Sequence, residues 1–417
     1  MSYPLDAFTS HQLTGSFAAR WIVPVASPPI AGGWIRVKAG RIVQLETSSP
    51  PADCLDLGDV ALMPGLVNAH THLEFSDLTT PLGRPGNRLP DWISAVVRYR
   101  RGAWADPSAA AEARQRIVLD GCAQSHRSGV RLVADIATQP YLRQTPPTPL
   151  RLLAMVETLG LLPERAEETF ALASEWLDAS PQGLHLGISP HAPYSTSPQL
   201  IRRCIQAARR QRMPLAMHVA ESREELELVQ RGSGPFRDAL ESLGVWQEEM
   251  FPLADGIDGL LRRLSEAPRC LVVHGNYLTT EQIGFLAGNP HMSLVYCPRT
   301  HRYFDHQRYP LERCLEAGVR VALGTDSRSS NPDLILWNEI RHVASHFPEV
   351  SIETALTMGS LWGAQALGHE DVGHLHPGAE PGILVVPTAA PDAARLWTSL
   401  LECPLPVWLR DWIDAGR

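Results

Sequence analysis

The chain has 417 residues, 44% of them hydrophobic and 20% charged, with a net charge of −8. It carries no basic run, which argues against nucleic acid or an anionic membrane as a partner, and shows neither a signal-type leader after Met1 nor an apolar run of about 18 residues. The expectation is a cytoplasmic protein of one large domain and one small one, acting on a small molecule, with a homodimer left open.

Residues 1 to 58 alternate short β-like pieces, Trp21–Val25, Trp34–Val37 and Gly40–Leu45, with Pro, Gly and Ser turns. This is too small and strand-rich to begin a barrel. Eight strand-like runs then alternate with helix-like stretches: Val60–Val67, Arg131–Ile136, Leu152–Val156, Leu184–Ile188, Pro214–Val219, Cys270–Val273, Met292–Tyr296 and Val319–Leu323. That alternation predicts parallel βα units, and eight of them close a (β/α)₈ barrel of the α/β class. Ser197-Pro198 reads as a cap and first-turn proline, Ser222 with Glu225 and Thr279 with Gln282 as capping boxes, and Gly232 and Gly288 as left-handed C-caps. A further β-like run follows at Gly382–Val386. Seven cysteines are scattered and never form a C-x-x-C pair, which speaks against a disulfide framework or zinc ribbon and for a reducing compartment.

Chemistry concentrates at the ends of the strand-like runs, where barrel active sites lie. In Met63-Pro64-Gly65-Leu66-Val67-Asn68-Ala69-His70-Thr71-His72-Leu73-Glu74-Phe75, an extended backbone projects His70 and His72 to one side, about 7 Å apart and able to share a metal ion. His218-Val219-Ala220-Glu221, His274-Gly275 and Gly324-Thr325-Asp326 each follow their own apolar run, and Glu157, His191 and Arg299 also fall at run ends. In this order the motifs resemble the amidohydrolase superfamily, in the branch of mononuclear-metal deaminases and chlorohydrolases, over roughly residues 55 to 370. Through His70–Ser76, Tyr296-Cys297-Pro298-Arg299 and Leu323–Ser327 the chain is similar to aminodeoxyfutalosine deaminases, departing from them at Thr300–Phe304 and Arg328.

The resemblance implies a small β-sandwich domain built from residues 1–58 and 371–417, with the barrel at 59–370. It implies one divalent metal per chain, zinc by default and iron as the alternative, held by His70, His72, His218 and Asp326. Glu221 would carry a proton to a ring nitrogen, His274 would orient the attacking hydroxide, and Asp326 would also take the water's proton. Glu74, Trp92, Arg98, His191 and Arg299 stand as candidate substrate contacts, each equally readable as a packing or salt-bridge residue, and Pro81–Pro90 as lid material. Lys38 is the only lysine, so no barrel lysine can bridge two metals. The implied reaction is hydrolytic loss of ammonia from an amino-substituted heterocycle, such as the aminopurine nucleoside aminodeoxyfutalosine. The alternatives are amide or chloro-heterocycle hydrolysis on the same metal site, and a non-catalytic binding protein.

Overall fold

The computed structural model describes residues 13–103, 107–139, 141–179 and 182–416. Eight strands form one parallel sheet in chain order: β1 Leu66–Thr71, β2 Val130–Ala137, β3 Arg151–Thr158, β4 His185–Pro190, β5 Leu215–Val219, β6 Cys270–His274, β7 Met292–Tyr296 and β8 Val321–Leu323. Their side chains are buried almost without interruption because helices cover the sheet, which is why the sequence shows continuous apolar runs there rather than alternation.

The sheet closes where β1 meets the end of β8. Thr71 and Asp326 form a parallel bridge. The Asp326 N–H donates to the His70 carbonyl at 3.1 Å, and the His72 N–H reaches the Asp326 carbonyl at 3.4 Å. Asn68 reinforces the seam: its Nδ2 donates to Thr325 Oγ1 at 2.7 Å, and its Oδ1 accepts from the Thr325 N–H at 3.1 Å.

Two smaller sheets hold strands from both chain ends and face each other across a core of Phe17, Ile22, Ile35, Ile42, Leu62 and Val385. The run expected as one strand, Val60–Val67, is two. Val60–Pro64 pairs with Trp21–Ile22 and with Ile383–Pro387 in a terminal sheet, and only Leu66–Thr71 enters the barrel. A strand of the terminal sheet, Val60–Pro64, therefore lies inside the stretch 59–370 expected as barrel. Pro64-Gly65 makes the break, and a side chain at Gly65 would meet Arg131 Cβ at 2.7 Å and the Pro381 carbonyl at 2.8 Å. Of the two expected C-cap glycines, Gly232 is left-handed at φ 63° while Gly288 stays helical at φ −71°. Among the described residues no helix is long and apolar enough to cross a membrane.

Gly324 occupies the tightest point of the seam. A Cβ there would lie 2.8 Å from the His70 carbonyl oxygen and 3.1 Å from Cys297 Sγ. Gly324→Ala is expected to force β1 and β8 apart, costing about 1–3 kcal/mol. Denaturant melts should show the loss, and metal retention should fall with it; wild-type behaviour in both would rule out a close-packed seam.

Candidate active site

Residues at the C-terminal ends of four strands converge on one point. His70 belongs to β1 and His72 follows it directly; His218 lies in β5, His274 ends β6, and Asp326 follows β8. The ligand-type nitrogens of His70, His72 and His218 all lie within 4.8 Å of one another. Asp326 Oδ1 stands 3.7 Å from both His70 Nε2 and His72 Nε2. Donor atoms around a tetrahedral zinc-type ion sit about 3.4 Å apart, so the spacing fits a shared divalent cation. His70 Nε2 is also buried without a hydrogen-bond partner, as a nitrogen reserved for a metal would be.

Local chemistry orients this set. His218 Nδ1 lies 2.7 Å from the His191 carbonyl, to which it donates, leaving Nε2 to face the cluster. Burial, together with neighbouring imidazoles, holds His72 and His218 well below the usual histidine range, so they are neutral and able to ligate. Burial pushes Asp326 the other way, but the imidazoles of His70, His72 and His274 outweigh it and keep the carboxylate ionised. Ser330 Oγ donates to Asp326 Oδ2 at 3.2 Å.

Glu221 and His274 face each other beside the donor set, Oε1 to Nε2 at 3.6 Å. Burial, then Asp326 and Glu225, raise the Glu221 carboxyl well above its ordinary range. The capping box expected at Ser222 is altered. Ser222 Oγ does accept from the Glu225 N–H at 3.1 Å, but the Glu225 carboxylate turns back to the N–H groups of Ala220 at 2.7 Å and Glu221 at 2.8 Å, gripping the backbone that carries Glu221. Ala220, His274 and Asp326 all adopt left-handed backbone, at φ 53°, 67° and 54°. Such geometry costs a non-glycine residue of order 1 kcal/mol or more, and here it falls at three strand ends of one site.

The expected substrate contacts separate into two groups. Glu74 is buried 2% exposed beside the site, bonded by Arg100 and by Thr138 Oγ1 at 3.0 Å, with Thr138 also 3.2 Å from Glu157 Oε2. His191 lies beside His218 with its ring tilted against it, centroids 5.0 Å apart, and with Nδ1 2.6 Å from Ser195 Oγ; burial and the charge of Arg100 lower it to about 3. Arg98, by contrast, is exposed. On the helix Leu89–Ala103 the inward face runs through Trp92, Val96 and Arg100, four residues apart, and Arg98 lies two residues off it. Arg100 is the cation the sequence reading missed; the helical period from Trp92 would have found it. Trp92 itself is a packing residue, donating from Nε1 to the Ser329 carbonyl at 3.1 Å and meeting Phe304 edge-on at 5.2 Å. Arg299 is spent on protein partners: Nε donates to Glu339 at 2.6 Å and Nη1 to Asp333 at 2.9 Å. The segment Pro81–Pro90 is tied down through the Leu82 N–H to Ser329 at 2.9 Å and the Gly86 N–H to Tyr303 at 2.8 Å.

A closed parallel barrel carrying three imidazoles and a carboxylate at its strand ends defines a metal-site hydrolase scaffold. The chain belongs to the amidohydrolase family, whose model matches residues 61–403. It is 27% identical over 406 residues to a 5-methylthioadenosine/S-adenosylhomocysteine deaminase of Nitratidesulfovibrio vulgaris, covering 91% of this chain and 83% of that one. It is 30% identical over 363 residues to an aminodeoxyfutalosine deaminase of Deinococcus radiodurans, covering 79% and 78%. The crystal structure of Helicobacter pylori aminofutalosine deaminase with methylthio-coformycin shares the fold, with a TM-score of 0.80 at 23% identity over 94% of this chain and 97% of that one.

Removing a donor should release the ion. His218→Ala and Asp326→Ala are expected to purify with little metal after dialysis while keeping the fold by circular dichroism; full loading of either variant would reject the ligand set. A second expectation concerns Asp135, fully buried, which accepts from the Leu73 N–H at 2.7 Å and pairs with Tyr141 Oη at 2.5 Å. Burial raises its carboxyl from 3.8 to about 8. The folded state therefore keeps a proton that the unfolded chain loses, and stability contributed here falls as pH rises from about 4 to 8, by up to about 1.4 kcal/mol per pH unit. Asp135→Asn, which mimics the protonated acid, should flatten that part of the stability profile; an unchanged slope would show that Asp135 folds ionised.

Proposed function

We propose that this chain is a hydrolytic deaminase that releases ammonia from an aminopurine nucleoside, of the kind named for its relatives: a 5′-methylthioadenosine-like or aminodeoxyfutalosine-like substrate. The observation that carries the reading is the placement of the buried Glu221 carboxyl against His274, beside the cluster of His70, His72, His218 and Asp326. Loss of ammonia from such a ring needs a proton on a ring nitrogen, an activated water and a cavity that holds the adduct.

His70, His72, His218 and Asp326 would hold the ion, and nitrogen with carboxylate donors suits zinc. A bound divalent ion supplies a Lewis acid that lowers the pKa of water to about 7. Glu221 delivers its proton to the ring nitrogen from a backbone fixed by Glu225 and by the Asn276 side chain, which donates to the Glu221 carbonyl at 2.8 Å. His274, neutral through burial and anchored by Tyr309 Oη donating to its carbonyl at 2.9 Å, orients the attacking water. Asp326, ionised, takes the water's proton. Glu74, with Arg100 and Thr138 behind it, offers its carboxylate to hydroxyl groups of the substrate, and His191 lines the same side. The seven cysteines are all free, which supports a reducing compartment and hence the cytoplasm.

Glu221→Gln is expected to retain metal and substrate affinity while turnover drops about 10²- to 10⁴-fold. The test is ammonia release by the metal-loaded protein from 5′-methylthioadenosine, S-adenosylhomocysteine and aminodeoxyfutalosine, with metal content measured on the same sample. Near wild-type turnover by the variant would remove Glu221 from proton transfer, and silence of the metal-replete wild type on all three would reject deamination of these nucleosides.

A further inference from the structure

Two buried hydroxyls behind Asp326 take no part in the steps above. Ser330 follows Asp326 by four residues, on the loop after β8, and is fully buried. Thr300, 1% exposed, lies on the short helix Pro298–Tyr303 that opens directly after β7. Ser330 Oγ donates to Asp326 Oδ2 at 3.2 Å, and Thr300 Oγ1 stands 3.0 Å from Ser330 Oγ. Asp326 Oδ1, the other arm of the same carboxylate, is the oxygen that faces His70 and His72 at 3.7 Å.

Counting protons sets the direction of this row. A carboxylate that ligates a cation is ionised and can only accept, so the single Ser330 proton goes to Oδ2. The Ser330 oxygen keeps lone pairs that can accept, and the Thr300 hydroxyl is the donor within reach. The backbone holds the two hydroxyls in register. Buried Glu339 accepts from the Arg299 N–H at 3.0 Å and from Asn331 Nδ2 at 2.8 Å, and these are the chain neighbours of Thr300 and Ser330. One carboxylate thus ties the helix after β7 to the loop after β8, a residue away from each hydroxyl. Valine would fill the same space at position 300, so what the hydroxyl adds there is its bond to Ser330.

We propose that Thr300 and Ser330 are positioning residues for the metal ligand Asp326: Thr300 commits the Ser330 proton to Oδ2, and that bond turns Oδ1 toward the ion shared with His70, His72 and His218. This rests on the reading of Asp326 as a ligand and adds that a hydroxyl borne by the helix after β7 sets how tightly the ion is held. A planar carboxylate with one oxygen fixed cannot turn about its Cβ–Cγ bond without breaking that hydrogen bond. The other oxygen is therefore aimed in advance, and less rotational freedom is lost when the ion binds.

The experiment is a zinc titration of the metal-free protein in competition with a chromophoric chelator, with Tm measured on the same samples. Ser330→Ala should weaken zinc binding about 10- to 100-fold, and Thr300→Val about 10-fold. Thr300→Ser, which keeps the hydroxyl, should restore wild-type affinity. The double variant should bind no more weakly than Ser330→Ala alone, because Thr300 acts through Ser330. A lower Tm in Thr300→Val with unchanged zinc affinity would make Thr300 a packing residue and overturn the proposal, as would losses of affinity that add in the double variant. Asp326→Ala is the control. Wild-type zinc affinity in that variant would remove the ligand reading and the proposal with it, whereas a loss there with Ser330→Ala and Thr300→Val unchanged would remove the positioning role alone.

Discussion

Closure of the barrel between β1 and β8 is the contact on which the site depends. The Thr71–Asp326 bridge is both the last pairing of the sheet and the joint that sets His70 and His72 against the Asp326 carboxylate. Because the bonds run between the backbones of His70, His72 and Asp326 themselves, a slip of the seam would move these side chains relative to one another. Parallel strands with this stagger need a residue without a side chain at the crossing, and Gly324 is that residue.

Around the seam the protein spends buried polar groups on position. Asn331 Nδ2 donates to the Thr325 carbonyl at 2.7 Å and to Glu339 at 2.8 Å, and Glu339 in turn holds Arg299. This chain fixes the loop after Asp326, as Glu225 fixes the backbone before the helix Arg223–Arg231. The left-handed backbone at Ala220, His274 and Asp326 survives because each is held on both sides by such bonds. Strain of this kind, concentrated at three strand ends, is the cost of aiming Glu221, His274 and Asp326 at one volume.

The charge on the outer wall is similarly balanced. Glu74 and Glu157 would repel if both were ionised in an apolar pocket, and Arg100 lies against Glu74 and 3.9 Å from Glu157, with Arg114 4.0 Å from Glu74. The result is a buried set of carboxylates held in place by arginines beside the imidazole cluster.

The strand order, and which imidazoles and carboxylates gather at the barrel mouth, could be read from the sequence because they depend on local facts: an apolar run is a buried strand, and a histidine or carboxylate just past its end sits at the barrel mouth. Lys38, the one lysine, likewise removed a whole class of bridged metal centres without any coordinates. Where direction or long-range partnership mattered, sequence could not decide. A proline-glycine step within one apolar run does not say that its halves join different sheets, which depends on Ile383–Pro387, some 320 residues away, pairing with Val60–Pro64. Arg98 and Arg100 differ only in which face of a helix they occupy, and Arg299 was removed from the pocket by Asp333 and Glu339, distant carboxylates that fold back onto it. Spacing along the chain sets which groups reach the mouth of the barrel; only packing decides which of them keep a free valence there.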